Sequence, residues 1–211
     1  MEGKNTVLLV DDDPALLISV GEILKNDYAV SSAKSGCEAR ELLIGGYVPD
    51  IILLDIDMPG LNGFETLQLI REIEDVRDVP VIFLTGIDTV ESEVKGITSG
   101  AADYVTKPFV KDSLLARLAQ NLEKGKRLRQ LSMMEKNKFA ADIDESKFEQ
   151  TAANLTGTEK KILRLIALGY SNKEISDTLN YSVGYVKNTA SIIYEKNHVG
   201  SRGEIKKLLK T

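Results

Sequence analysis

The chain contains a single cysteine, Cys37, and a single histidine, His198. One cysteine excludes an intramolecular disulfide and fits a reducing compartment. The two residues fall short of the usual zinc ligand set. They also cannot supply a Ser-His-Asp or Cys-His centre, which needs an imidazole beside its partner groups. No apolar run approaches the roughly 18–20 residues of a membrane span. The first apolar run, Thr6–Val10, is too short for a signal peptide and leads straight into Asp11-Asp12-Asp13. A cytoplasmic location with no membrane partner is therefore expected.

What is present is ordinary globular material. The 211 residues are 43% hydrophobic and 28% charged, enough for a real core and against wholesale disorder. That length fits one large domain or two modest ones, at roughly 100–200 residues each. The net charge of −5 conceals an asymmetry. Residues 1–124 hold 22 acidic and 11 basic side chains, a balance of −11, whereas residues 125–211 hold 10 acidic and 16 basic ones, a balance of +6. An acidic half joined to a basic half points to an anionic partner for one end only.

The acidic half alternates short apolar runs with amphipathic stretches. The runs are Thr6–Val10, Ala29–Ala33, Ile51–Leu54, Val81–Leu84 and Tyr104–Val105. Two of them, Ile51-Ile52-Leu53-Leu54 and Val81-Ile82-Phe83-Leu84, show no polar alternation, as in strands of a parallel sheet covered on both faces. Helices are expected over 14–26, with Pro14 in its first turn, and over 36–44, 63–73, 89–98 and 111–123. Five repeats of strand and helix read as a doubly wound five-stranded α/β domain.

Residues 125–150 read as a linker. Leu128, Leu131 and Met134 fall on one face of an extension of the preceding helix, and the stretch from Lys136 to Gln150 is polar and without a clear period. The last part of the chain has no strand pattern. Three Ser/Thr-x-x-Glu sequences, Thr156…Glu159, Ser171…Glu174 and Ser201…Glu204, carry the capping-box pattern of a helix start, and Ser182 is a further cap. Helices are expected over 157–168, 172–179, 183–196 and 202–209, with Gly169 stopping the first. The turn Asn180-Tyr181-Ser182 joins two short helices in helix-turn-helix manner.

Polar groups gather at the carboxyl ends of the strands, where parallel α/β sheets form their sites. Asp11 and Asp12 end the first strand, Asp55 the third, Thr85 the fourth and Lys107 the fifth. Three carboxylates placed together repel each other and call for a cation. Oxygen-only ligands favour Mg²⁺. One carboxylate is then available as a nucleophile toward phosphorus, with Lys107 and Thr85 holding phosphoryl oxygens. Asp55, on the central buried strand, is the best acceptor, and Asp11 and Asp12 are better suited as metal ligands.

Four motifs carry a resemblance. They are Leu8-Leu9-Val10-Asp11-Asp12-Asp13, the run from Leu54 to Gly63, Leu84-Thr85-Gly86, and the run from Gly100 to Phe109. Over nearly all of residues 5–124 the chain resembles the receiver domain of two-component response regulators, a flavodoxin-like fold. The resemblance implies phosphorylation of Asp55 by a cognate sensor histidine kinase. It implies Mg²⁺ bound by Asp12 directly, by Asp11 through water, by an Asp55 oxygen and by the Asp57 backbone carbonyl. It also implies Thr85 and Tyr104 as a switch pair and a cis Lys107-Pro108 bond.

In the basic half, Val186, Ala190 and Ile193 form the buried stripe of the 183–196 helix. Gly184, Lys187, Asn188, Ser191 and Glu195 lie opposite. Lys, Asn and Ser suit phosphates and base edges in a major groove, and Ser171, Asn172 and Lys173 open the preceding helix where a phosphate can be held. Residues 155–209 resemble the LuxR-type helix-turn-helix of NarL/FixJ-class regulators. The matching residues include Leu155-Thr156-x-x-Glu159, Gly169-Tyr170-Ser171-Asn172-Lys173-Glu174-Ile175, Val186-Lys187-Asn188 and Val199-Gly200-Ser201-Arg202. Thr189 stands where the family usually has His, Asn197 where it usually has Leu, and Ser191 where some members carry a base-contacting basic residue.

The chain is thus expected to hold a receiver at 1–124, a linker at 125–150 and a smaller all-α DNA-binding domain at 151–211. It would be a regulator rather than an enzyme, forming a homodimer on phosphorylation and binding double-stranded DNA. Two other readings stand beside this one. In the first, the receiver is an interaction or phosphorelay module whose tail does not bind DNA. In the second, suggested by Asp55-x-Asp57, the chain is a metal-dependent phosphatase; the Asp11-Asp12 doublet and the Lys107-Pro108 motif speak against it.

Overall fold

A computed structural model describes residues 4–73, 75–86, 100–138 and 143–209. The chain forms two compact units, residues 1–126 and 127–211.

In the first unit the described elements are β1 (Thr6–Val10), α1 (Pro14–Leu24), β2 (Ala29–Ala33), α2 (Gly36–Ile44), β3 (Ile51–Asp55), α3 (Gly63–Glu72), β4 (Val81–Thr85), β5 (Asp103–Thr106) and α4 (Lys111–Lys138). The strands make one parallel sheet in the order β2-β1-β3-β4-β5, the flavodoxin-like doubly wound order. β3 and β4 are buried at every position, which is why their sequences show no polar alternation. Val7, Leu9, Ile51, Leu53, Ile82 and Leu84 pack on one face with Val20 and Leu24 of α1 and Leu114, Leu118 and Leu122 of α4. Phe83 turns to the other face, where the Phe64 ring of α3 meets it edge-on at 5.0 Å. At the amino edge, the Thr6 backbone N–H and hydroxyl both donate to Asp50 Oδ2, at 2.8 and 2.9 Å, which ties the start of β1 to the start of β3.

Two helix ends depart from the sequence pattern by more than one residue. α1 stops at Leu24, short of 26. α4 runs to Lys138 instead of 123, because no proline interrupts residues 124–138 and only Gly125 weakens them. Leu128, Leu131 and Met134 lie exposed along that extension. The helix expected over 89–98 lies outside the described residues.

The second unit holds α5 (Glu145–Thr151), α6 (Gly157–Ala167), α7 (Asn172–Leu179), α8 (Val183–Lys196) and α9 (Arg202–Leu209). Residues 143–150, inside the stretch that reads as a linker, are part of this core, as is Ala152 just beyond it. Ile143, Phe148 and Ala152 pack with Ile162, Leu163, Ile166, Ile175, Val186, Ile193 and Ile205. Asp144 caps α5 by accepting from the Ser146 and Lys147 N–H groups. The Arg164 guanidinium lies 4.2 Å over the Phe148 ring and forks onto Glu145 at 2.7 Å for each bond. Seven residues with one buried anchor are too few to show a helical period, so the sequence pattern leaves α5 unseen.

Two of the three capping boxes are formed; at the third, Glu204 N donates to Ser201 Oγ at 3.3 Å, but the Glu204 carboxylate accepts from Gly200 N at 2.8 Å. Thr156 with Glu159 and Ser171 with Glu174 satisfy each other reciprocally at the starts of α6 and α7. Gly169 takes φ +85° just past α6, a left-handed position that a side chain would strain. α7 ends on Asn180 with φ 57°. Ser182 then caps α8 by accepting from Tyr185 N at 3.1 Å, which completes a tight helix-turn-helix.

Glu159 joins the start of α6 to the end of α8, since Lys196 Nζ donates to both its oxygens at 2.8 Å. The Lys196 hydrogen bonds first, then the Thr156 N–H, hold its carboxyl below the ordinary value of 4.5. A depressed carboxyl stabilises the fold above its unfolded value, and that contribution disappears as the pH falls through the folded value. Glu159→Gln should therefore cost about 1 kcal/mol at neutral pH and nothing once the pH is well below 4.5. Thermal unfolding of both proteins by circular dichroism across that range checks this. A gap that does not narrow in acid would contradict it.

Candidate functional site

In the first unit, β1 and β3 are neighbours, so the residues at their carboxyl ends converge. Asp11 and Asp55 are buried, 1% and 4% exposed, and Asp12 is exposed beside them. One oxygen from each of the three carboxylates falls within 4.8 Å of the others. Asp11 is held by its own backbone, whose N–H donates to Ala33 O at 3.2 Å, and its Oδ1 accepts from Asp13 N at 2.9 Å.

Lys107 reaches the same point from beyond β5. Its Nζ donates to Asp11 Oδ2 and to Asp55 Oδ1, each at 2.7 Å. Its backbone N–H donates to Thr85 O at 2.6 Å, and the Lys107–Pro108 peptide bond is cis. Thr85 closes β4 with 3% exposure. Tyr104 sits half-buried on β5, in register with Phe83. Asp57 is exposed in the loop after β3.

Burial pushes the Asp55 carboxyl above its ordinary value; the Lys107 hydrogen bond and charge oppose that, and the charges of Asp11 and Asp57 reinforce it. Burial alone would lower Lys107, but its bonds to Asp11 and Asp55 outweigh it and raise the ammonium above its usual range. One ammonium serves two of three clustered carboxylates, so negative charge is left over. Acceptor-only oxygens carrying excess charge fit a hard divalent cation such as Mg²⁺, and that is the donor set the structure brings together.

Two supports were not visible as roles in the sequence. A Cβ on Gly63 would stand 2.3 Å from Asp55 O and 2.8 Å from Ile56 Cα. The start of α3 can therefore press against the end of β3 only because residue 63 has no side chain. Asp103 opens β5 and accepts from Arg117 at 2.8 Å and from the buried Asn121 at 3.2 Å, both on α4. This anchors the strand that delivers Lys107. The signal for both is their place inside the quoted motifs.

In the second unit, Val186, Ala190 and Ile193 form the inward stripe of α8. Asn188 and Ser191 are exposed and Lys187 is half-buried beside them; the Ser191 hydroxyl donates to Lys187 O at 3.2 Å. Ser171 is occupied as the cap of α7. Lys173 lies half-exposed on α7, 3.6 Å from Asp177. The Asn172 side chain, at the start of α7, is interior rather than at the surface. It is 8% exposed, and its Oδ1 accepts from Arg202 at 3.1 Å. Arg202 also donates to Tyr170 O, so Asn172 fastens α9 to the start of α7. Thr189 is buried too, its hydroxyl donating to Tyr185 O at 2.8 Å, which makes it part of the helix interior.

Residues 7–119 match the response regulator receiver domain family, and residues 153–208 match the luxR family of bacterial regulatory proteins. The cell cycle response regulator CtrA of Brucella anthropi is 33% identical over 168 residues, covering 77% of this chain and 69% of that protein. Among solved structures, the response regulator StyR aligns over 98% of both chains with 26% identity and a TM-score of 0.53. The BeF3-activated DrrB receiver domain aligns over 57% of this chain and 99% of its own, with 34% identity and a TM-score of 0.51. With a receiver sheet in one unit and a LuxR-type helix-turn-helix in the other, this chain belongs to the response regulators and is a DNA-binding transcriptional regulator of a two-component system.

Proposed function

We propose that Asp55 is the phosphoacceptor, served by Asp11, Asp12, Lys107, Thr85 and Tyr104, and that phosphorylation controls a DNA-reading face on α8. The observation that carries this is the Lys107 ammonium bridging Asp11 and Asp55, with Asp12 close by.

An Asp55 carboxylate oxygen forms a bond to phosphorus as the P–N bond of the kinase's phosphohistidine breaks, and the imidazole leaves. Lys107 moves its hydrogen bond from the Asp55 oxygen to a phosphoryl oxygen, and the Thr85 hydroxyl holds another. Tyr104 then follows Thr85 as the switch partner. Asp11, Asp12, Asp55 and the Asp57 carbonyl would hold Mg²⁺, which neutralises charge on the transferring group. The phosphoryl group is accepted rather than turned over, so the chain acts as a regulator and not as an enzyme.

We assign the receiver to 1–124 and the reader to the C-terminal unit, with residues 125–150 as a connection whose second part packs into the reader. A cognate sensor histidine kinase in the cytoplasm and homodimerisation on phosphorylation complete the proposal. No described helix is long and apolar enough to cross a membrane.

Intact mass after acetyl phosphate treatment should rise by one phosphoryl group, and only with Mg²⁺. Asp55→Asn should gain nothing and Asp12→Ala little. Lys107→Ala should lose dimerisation more than labelling. Labelling of Asp55→Asn to the wild-type level would overturn the assignment.

For the output, Ser171, Lys173, Lys187, Asn188 and Ser191 are placed against DNA, Ser171 through the helix start it caps and Lys173 against phosphate. The segment 151–211 holds 10 basic and 5 acidic residues, so binding should weaken steeply with salt as counterions return to the duplex. Lys187→Ala or Asn188→Ala should cost about 1–3 kcal/mol on a preferred site, while Lys173→Ala should weaken all sequences alike. Titrations with beryllofluoride at two salt concentrations test this. A salt-independent affinity would refute the phosphate contacts.

A further inference from the structure

Helix α8 has an apolar edge that the contacts assigned above leave unused. Tyr185 and Ile192 are 46% and 43% exposed, and Tyr181, in the turn before the helix, is 40% exposed. The Tyr181 and Tyr185 rings pack on each other with centroids 4.8 Å apart. The backbone beneath them is pinned as well. Ser176 Oγ donates to Tyr181 O at 2.6 Å, Ser182 caps at Tyr185 N, and Thr189 donates to Tyr185 O. Rings fixed in this way lose little freedom when a partner arrives.

Helix periodicity says where this edge lies. Val186, Ala190 and Ile193 set the inward direction. Tyr185, Asn188 and Ile192, stepping by three and four, follow one border of the outward face, and Lys187 and Ser191, stepping by four, follow the other. Between the borders, a Cβ on Gly184 would meet nothing within 4 Å. A major groove is about 12 Å wide, and a helix with its side chains is about 10–12 Å across. A helix that enters the groove on its Lys187 and Asn188 face therefore brings both borders against base edges and walls. The apolar feature that bases offer there is the thymine 5-methyl group.

We propose that Tyr185 and Ile192, with Tyr181 buttressing the Tyr185 ring, form a specificity-determining edge that reads thymine methyl groups in the major groove. The inference rests on the DNA-contact reading of α8 and deepens it by naming the base chemistry selected. The edge is continuous with the polar face of the same helix, and the surrounding positive balance draws in a polyanion. Cytosine lacks the 5-methyl group, so the apolar contact of the Tyr185 ring and Ile192 is lost there and the preference is for thymine.

The test uses the full-length protein, with and without beryllofluoride and Mg²⁺. A preferred duplex is selected from a random pool and compared with the same duplex carrying deoxyuridine in place of thymine, which removes the methyl groups alone. Wild type should bind the deoxyuridine duplex about fourfold more weakly per contacted methyl. Tyr185→Ala and Ile192→Ala should bind the thymine duplex more weakly and discriminate less between the two. Tyr185→Phe, which keeps the ring, should discriminate like wild type. Equal wild-type binding to both duplexes would overturn the inference and leave the DNA-contact reading standing. Full discrimination retained in both alanine variants, their helix content matching wild type, would also overturn it. If no duplex is enriched or bound even at low salt, the DNA-contact reading falls and this inference with it.

Discussion

The first unit is organised around a charge conflict at the carboxyl ends of two adjacent buried strands. Asp11 and Asp55 are nearly inaccessible, and the strand order makes β1 and β3 neighbours. Two carboxylates about 5 Å apart repel by about 3 kcal/mol at an effective dielectric of 20. The Lys107 ammonium lies between them and cancels much of that. For it to arrive there, the β5 end must be held, and Thr85 O and the Asp103 bonds to Arg117 and Asn121 hold it. Gly63 completes the arrangement from the other side by letting α3 close on the β3 end without a clash. The third carboxylate, Asp12, adds negative charge that Lys107 does not reach among the described residues.

The second unit depends on fastening its helices to one another. Burial is shared among short helices, none of which would be stable alone. Lys196 with Glu159 ties the end of α8 to the start of α6, and Arg202 ties α9 to the start of α7 through Asn172 and Tyr170 O. These links lie at helix ends, where unpaired backbone groups otherwise lose most from desolvation. The outcome is a fixed presentation of the α8 outer face, the condition for reading base edges instead of merely touching phosphate.

Much of this was legible because each signal was local. The unbroken apolar runs of β3 and β4 report burial on both faces, the capping boxes report the starts of α6 and α7, and the carboxylates at strand ends report the site. What was hidden depended on partners far along the chain. Asn172 at a helix start looks the same whether it faces solvent or Arg202, thirty residues later; only the tertiary contact decides. Helix α5 rests on Phe148 and the Arg164 guanidinium stacked over it, an interaction no period encodes. The extension of α4 was legible in Leu128, Leu131 and Met134, but its end was not. Its extension buries nothing at Leu128, Leu131 or Met134 and relies on propensity alone, so no packing boundary marks its end.

The opposite charge of the two halves constrains how control can work. Residues 1–124 carry a balance of −11 and residues 125–211 a balance of +6. A phosphoryl group on Asp55 makes the first half more negative, which by itself disfavours the approach of a polyanion. An electrostatic push from the receiver therefore has the wrong sign to promote DNA binding. In the proposed homodimer, promotion comes from geometry, through the pairing of two chains. Once one helix-turn-helix is seated, the second binds at a high effective concentration, a gain that needs no new contact with DNA. That gain exists only when both readers can engage at once, so in the proposed dimer the half-site spacing decides whether the pairing adds anything.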